Sequence, residues 1–497
     1  MTNKKYIQNI FKLLESLQVN KLLSNNEMDQ LFYLYFISTK CRYPTESEFS
    51  DFKNEIAHFS QEPSFTNILV SSISSMLLDL KNEKPFFDVT ETAFAFYNSG
   101  AQRTTRAIYK NLNGRVIAFR WDIPNGRVNE IDQKTHRLLL DYTLLNKTIS
   151  LDGYQNLQIE NSILNRLLEL FRRNTFLRFF LRHNLFFRIK IILKYILASF
   201  SSKQKFNFAM NNSLVASDLI MTEYGYLNST LHNRIQMLLK FGGARLHLLF
   251  YDSIPFYEPE YFDANKLLSF KPLLDTAKSA TTIFVPSKYE LDRIRKLIDI
   301  SAINFKLLYF AGSFDTPTLP DKHIRSPNDK NIIIVAGVEP RKNLQTMIRA
   351  VSHSARTIDI NLNIIAVTTS HISHITNSIE DLKYLKSLNV FSKISDDHLI
   401  RIYRDSDLSL FCTLAEGFGI PIAESGWLEV PVIASNIGTI KEVASLFSRA
   451  NLVDPRNYLE ISRCICESLK FGNYQTEGLL RNRTWHDVAE DLMSAIN

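Results

Sequence analysis

Two carboxylates, Glu416 and Glu424, stand at either end of the stretch Glu416-Gly-Phe-Gly-Ile-Pro-Ile-Ala-Glu424. The preceding Asp407-Leu-Ser-Leu-Phe-Cys-Thr413 is an apolar run that predicts a short buried strand. The following Pro421-Ile-Ala-Glu-Ser-Gly-Trp-Leu428 predicts a helix with proline in its first turn. Strand, glycine-containing turn and helix N-terminus together leave backbone N–H groups free, and these favour an anion or a hydroxyl-rich ligand. One carboxylate at the mouth of the turn and another about two turns along can both accept hydrogen bonds from hydroxyl groups. Taken alone, the stretch also fits an ordinary strand-to-helix turn carrying two solvated acids.

The stretch has company. Upstream, Asn331-Ile-Ile-Ile-Val-Ala-Gly-Val-Glu-Pro-Arg-Lys-Asn343 sets a buried strand before Gly337 and the adjacent cations Arg341 and Lys342. Between the two lie Ile394-Ser-Asp-Asp-His-Leu399 and Ile402-Tyr403. The first stretch resembles the E-x7-E signature of retaining glycosyltransferases of the GT-B fold, specifically glycosyltransferase family 4. The second resembles that family's diphosphate-binding segment, and the third its "v-s-d-e-x-L…L-Y" element. The order and spacing are also the family's. The resemblance implies an α/β protein with two Rossmann-like domains facing a cleft.

At 497 residues the chain has room for two or three domains with sizeable cores. A hydrophobic content of 45% with 22% charged residues is that of a globular protein and excludes a disordered one. The four cysteines, Cys41, Cys412, Cys464 and Cys466, have neither a disulfide framework nor zinc-ligand spacing, which favours a reducing compartment. The first twenty residues lack the apolar core of a secretory signal, and no uninterrupted apolar run reaches the ~20 residues that span a bilayer. A cytoplasmic location follows as the expectation, with the inner face of the membrane open.

Residues 1–84 read as a helical extension with apolar positions at three- and four-residue intervals and no chemical motif. The resemblance does not reach them, so helical packing or oligomerisation is the expected role. The first Rossmann-like, acceptor-side domain is placed at 85–315. It starts with a strand at 85–90 and a loop in which Gly100 leads into a helix carrying Arg103, much as "G-I-Q-R" does in the family. The resemblance implies that Gly100 lets backbone approach the donor. Strands are expected at 114–121, 127–130, 217–222, 245–252 and 281–287, and helices at 231–240 and 288–298. At Tyr251-Asp252 the chain departs from the family's His-Asp: tyrosine replaces histidine and the aspartate is kept.

An insertion at about 160–208 breaks this alternation. Between Arg166 and Lys205 lie ten Lys/Arg residues, one acid and seven phenylalanines. A basic, aromatic-rich stretch fits an element on an anionic membrane surface, or a helical hairpin packing its phenylalanines on the domain. No nucleic-acid motif accompanies the charge, so no nucleic-acid partner is expected. After a Pro-rich linker at 315–329, clear β/α alternation over 330–480 predicts a second, nucleotide-sugar-binding Rossmann-like domain, with a helix expected at 379–387. Residues 481–497 read as a last helix, which in the family often returns to the first domain.

The resemblance implies a donor site in the second domain. Arg341 and Lys342 suit the negative charge that grows on a departing nucleoside diphosphate. With the amides of Gly417, Phe418 and Gly419, Glu416 would hold the donor sugar's hydroxyls, and Glu424 the ribose. Gly337 would lie under the diphosphate, and the backbone at Lys393 and Ile394 would meet the base. No side-chain nucleophile is assigned. Asp405-Ser-Asp407 has the Asp-x-Asp form of a metal-dependent transferase, but its place between a helix and a buried strand reads as structural, so no metal and no cofactor are expected. The expected activity is transfer of a hexose, mannose being one option, from a nucleotide-sugar to a surface polysaccharide or lipid-linked glycan. GDP-, UDP- and dTDP-sugars all remain open. The alternatives are a sucrose- or trehalose-type synthase acting on a soluble sugar and an inactive GT-B binding subunit.

Overall fold

A computed structural model describes residues 4–19, 21–57, 62–80, 84–94, 100–112, 114–140, 214–223, 228–314, 329–366, 380–392 and 394–496. Lys393, the basic Phe-rich insertion and nearly all of the expected linker fall outside these residues. They divide into two compact units, 1–131 with 210–497, and 132–209. Of the described helices and strands, α6 (Gln133–Leu140) belongs to the second unit and the others to the first.

The chain begins with four helices, α1 (Lys4–Gln18), α2 (Asn25–Lys40), α3 (Glu46–Ile56) and α4 (Pro63–Leu78). Capping boxes start α2 and α3: Ser24 and Thr45 accept from the backbone of Glu27 and Glu48, whose carboxylates reach back to the cap N–H groups. Their apolar faces build no separate core. Ile10, Leu34, Phe52 and Ile73 are buried in one cluster with Phe119, Trp121, Leu219 and Leu246 of the first sheet. The buried Arg234 adds a polar tie, lying 2.7 Å from Glu48. Residues that sequence treats as an extension thus share the core of the first domain.

That domain holds β1 (Phe86–Asp88), β2 (Ile117–Asp122), β3 (Arg127–Glu130), β4 (Asp218–Met221), β5 (Arg245–Leu249), β6 (Thr282–Val285) and β7 (Asn304–Leu307). Their order is β3-β2-β1-β4-β5-β6-β7, parallel throughout except for β2 with β3. The associated helices are α5 (Gly100–Leu112), α7 (Ser229–Phe241), α8 (Ile254–Tyr257), α9 (Ala264–Ala277) and α10 (Lys288–Ile298). Ser287 caps α10, its hydroxyl accepting from the Glu290 N–H.

The second domain runs through β8 (Lys330–Val335), α11 (Leu344–Ser354), β9 (Ile360–Ala366), β10 (Ser387–Ser392), α12 (Asp396–Arg404), β11 (Leu408–Phe411), α13 (Ile420–Trp427), β12 (Val432–Ser435), α14 (Gly438–Phe447), β13 (Ala450–Val453), α15 (Tyr458–Phe471) and α16 (Trp485–Ile496). All six strands are parallel in the order β10-β9-β8-β11-β12-β13, the doubly wound pattern. One expected element differs. Instead of a helix over 379–387 there is a short 3-10 turn, Glu380–Tyr384, followed by edge strand β10. Side-chain bonds across the pair, Ser387 to Asn361 at 2.8 Å and Asn389 to Asn363 at 3.0 Å, favour the strand over a local helix.

The two domains meet through specific contacts. Glu442 of α14 accepts from the N–H groups of Lys288 and Tyr289 at the start of α10, at 2.7 and 2.9 Å, and from Tyr309 Oη at 2.7 Å. A carboxylate there satisfies orphan helix donors and complements the dipole. Phe310 packs against Phe418 with the rings tilted at 59° and their centroids 5.1 Å apart. The final helix α16 returns to pack on α5, and its Glu490 pairs with Arg115 just beyond the end of α5.

Candidate active site

In a doubly wound sheet, the crevice opens at the carboxyl ends of the strands where the strand order reverses. Here that point lies between β8 and β11, and the segments leaving those strands are 336–343 and 412–419. The two motifs are therefore brought side by side by topology alone. The N–H of Leu414 donates to Arg341 O at 2.7 Å, stitching the segments together.

Arg341 and Lys342 sit in a single 3-10 turn, Pro340–Lys342, that ends at Asn343 in the left-handed conformation, φ 55°. Asparagine tolerates this backbone better than most residues. Its Nδ2 donates to Cys412 O at 2.8 Å and Pro455 O at 2.7 Å, fixing the turn against two neighbouring segments. Sequence reading names Asn343 only as part of the motif and gives it no role. A polar residue closing a Pro-Arg-Lys turn was the available signal.

Both cations converge on Glu416. Lys342 Nζ donates to its Oε1 at 2.6 Å, and Arg341 Nη1 to its Oε2 at 3.0 Å and to Ala415 O at 3.1 Å. Burial pushes the Glu416 carboxyl up, but Lys342 and Arg341 outweigh it and hold it below the ordinary carboxylate range. Burial works against the Arg341 charge, yet Glu416, Asp252 and Glu339 raise its pKa. The result is a charged, mutually oriented trio at the strand ends. The carboxylate of Glu339 folds back over Gly337 at the start of the same turn.

Gly417 and Gly419 do different jobs. A side chain at Gly417 would run into Tyr251 O and would place its Cβ 2.8 Å from that of Asp252, so the loop touches the first domain only because it has none. Gly419 caps α13 with φ 93°, a left-handed backbone that favours glycine. Between them, the Phe418 ring is buried against Phe310 and Phe447, so its side chain anchors the loop and only its backbone is available to a ligand.

Opposite this loop, Tyr251 points its hydroxyl into the first domain, donating to Thr222 O at 2.8 Å. Tyrosine at this position thus serves as an internal anchor. Asp252 is the residue turned toward the cluster, with Oδ1 also accepting from Ile254 N–H at 3.2 Å. Burial raises its pKa, with Arg341 pulling the other way. Behind it, Glu290 of α10 accepts from both the N–H and the hydroxyl of Ser253 at 2.6 Å, fixing the loop that carries Asp252.

Glu424 lies on α13, with only 1% of its side chain exposed. Its Oε1 is 2.5 Å from Arg103 Nη1 of α5, and its Oε2 accepts from Tyr403 Oη at 3.2 Å. Burial raises its carboxyl above the ordinary value despite Arg103. Gly100 begins α5 beside the start of α13, 3.6 Å separating the place of a Cβ from Ile420 Cδ1. Ile394, half-buried, packs on the cluster of Leu399, Tyr403 and Leu428.

Asp405 and Asp407 occupy the opposite, amino-terminal edge of the sheet. Asp407 accepts from Asn331 N–H at 2.8 Å, and Asp405 O accepts from the Asn331 side chain at 3.0 Å. They tie β8 to the turn before β11, away from the cationic cluster.

Residues 315–476 match the family described as "Glycosyl transferases group 1". A 177-residue stretch is 27% identical to "Serotype-specific mannosyltransferase WbdA" of Escherichia coli, covering 34% of this chain and 21% of that protein. A 224-residue stretch is 22% identical to "O-antigen chain mannosyltransferase RfbU" of Salmonella typhimurium, covering 42% of this chain and 61% of the relative. The chain thus spans about a fifth of the one and three fifths of the other. Among solved structures, Anabaena Alr3699/HepE in complex with UDP and glucose aligns with a TM-score of 0.47 at 12% identity, covering 83% of this chain and 95% of that one. Sucrose-phosphate synthase from Thermosynechococcus elongatus aligns with a TM-score of 0.43 at 14% identity, covering 62% and 74%.

Proposed function

We propose that this chain, whose residues 315–476 match the glycosyl transferases group 1 family, is a retaining hexosyltransferase. It would use a nucleotide-sugar donor and a surface polysaccharide or lipid-linked glycan as acceptor. The observation that carries this is the convergence of Arg341 and Lys342 on Glu416 at the switch point of the second sheet. When the glycosidic bond to a diphosphate breaks, charge accumulates on the leaving phosphate. Two fixed cations at that place stabilise the charge without reorganising. Glu416 keeps both pointed at the site before a donor arrives and offers acceptor oxygens to the sugar's hydroxyls. Glu424 takes the ribose hydroxyls.

Mannose is the first sugar to test, because both curated relatives bear mannosyltransferase names and carry O-antigen or serotype functions in those names. A panel of GDP-, UDP- and dTDP-sugars, followed by nucleoside-diphosphate release with a lipid-linked glycan, tests the proposal. The anomeric configuration of the product, read by NMR, tests retention. Release no faster than that of the Lys342→Ala variant with every donor would overturn the assignment.

A further inference from the structure

Glu424 is reached from both domains. Its carboxylate meets Arg103 of the first domain at 2.5 Å and Tyr403 of the second at 3.2 Å. With 1% of the side chain exposed, no hydroxyl arriving from solvent can touch Glu424 while Arg103 stays where it is. Arg103 itself is 23% exposed, its guanidinium 5.5 Å from the centre of the Phe314 ring, so it has a way out that Glu424 lacks. The residue that closes the path to Glu424 is thus a cation of the other domain, held at the edge of the buried region.

We propose that Arg103 is a specificity-determining latch: it pairs with Glu424 across the domain contact and yields that carboxylate to a ribose only when the ligand also brings a diphosphate. This rests on the reading of Glu424 as the ribose-binding residue. A ribose diol can replace the guanidinium as hydrogen-bond donor to the carboxylate. The displaced guanidinium then needs a new anionic partner, because a half-buried charge left alone is costly. Asp396, at the start of α12 in the second domain, is an acid whose field reaches both partners. A nucleoside brings no charge to receive the guanidinium, whereas a nucleoside diphosphate does. Arg103 therefore makes occupancy of the site conditional on the charge of the leaving group, and it acts from the domain opposite the donor motifs.

Calorimetric titration of the full chain with guanosine and uridine, and with GDP and UDP, tests this. Relative to wild type, Arg103→Gln should bind the matching nucleoside about five-fold tighter or more, since the pair no longer reduces the competent fraction. The same variant should bind the diphosphate no tighter than wild type does. The gain must be confined to the nucleoside: a merely structural role would move both affinities the same way, and an equal gain for the diphosphate overturns the latch. Unchanged or weaker nucleoside binding by Arg103→Gln overturns the latch. Arg103→Lys keeps the charge without the planar fork and is held to the same criterion, with a smaller gain, should the glutamine variant fail to fold. Adding Glu424→Gln to Arg103→Gln should abolish the gained nucleoside binding. If the gain survives that second change, the ribose reading of Glu424 fails and the latch with it.

Discussion

Nζ of Lys342 lies 2.6 Å from Oε1 of Glu416, and the other carboxylate oxygen is held by Arg341 at 3.0 Å. One carboxylate therefore orients two cations that come from the opposite side of the sheet's switch point. Replacing Arg341 or Lys342 by alanine should remove most turnover, a loss of ~2.7–4 kcal/mol of transition-state stabilisation. The fold should survive, because neither cation is part of a hydrophobic core. Steady-state kcat, with the melting temperature as control, decides the matter. Near-normal kcat in both variants would sink the proposed role.

Asn343 should matter through the backbone. Alanine there loses two hydrogen bonds, each worth about 1 kcal/mol, and must still hold a left-handed φ costing about 1–2 kcal/mol. A destabilisation of about 3 kcal/mol is expected for Asn343→Ala in urea titration. Glycine relieves the backbone but not the lost bonds, so Asn343→Gly should fall between alanine and wild type. A glycine variant no better than the alanine variant would show that the conformation is not what asparagine supplies.

Glu290 supplies a pH dependence. Burial, with the neighbouring Asp252 adding to it, pushes its carboxyl up from 4.5 to about 7. Between those values the folded chain holds a proton that the unfolded chain has released. The contribution to stability is thus fully present below pH 4.5 and is lost as the pH rises through 7. The shift corresponds to about 3 kcal/mol. Glu290→Gln keeps an acceptor for Ser253 and removes the ionisation. Its melting temperature should therefore gain on wild type on going from about pH 5 to about pH 8. Parallel curves across that range would rule the titration out.

The fold class and the second-domain motifs were legible in the sequence for a common reason. Each depends on local order: apolar strands, the glycines after them and the Pro-led turns all lie within a few residues of one another. The relationships between domains had no such signature. Arg103 and Glu424 are far apart in the chain, and a carboxylate capping another domain's helix, as Glu442 caps α10, looks like any exposed glutamate in a helix. The role of residues 1–84 was hidden for the same reason, since Ile10 and Leu34 show helical spacing but not the sheet they pack against. Strand β10 was missed because its alternation is blurred by half-exposed Ser387 and exposed Asn389, which are explained only by their partners on β9.

The position of Asp405 and Asp407 supports a prediction about metals. Both are used at the sheet edge away from the cationic cluster, where Asp407 accepts from Asn331 N–H at 2.8 Å. Turnover should survive EDTA, and Asp407→Ala should lower the melting temperature with little effect on kcat. Loss of activity on chelation, restored by Mn²⁺ or Mg²⁺, would reverse this reading.

The charge distribution supports one more prediction. The ten Lys/Arg residues between Arg166 and Lys205 are accompanied by a single acid. No described helix is long and apolar enough to cross a membrane. Each basic residue near an anionic surface contributes ~1 kcal/mol, falling away beyond a Debye length. Three or four of them would give salt-sensitive binding, to which the phenylalanines add apolar burial that salt does not screen. Wild type should therefore sediment with anionic vesicles and ignore neutral ones. Replacing Arg172, Arg173, Arg178 and Arg182 with glutamine should weaken that binding and leave hydrolysis of a soluble donor largely unchanged. Equal sedimentation of the two proteins with anionic vesicles would mean that these arginines play no part in surface attachment.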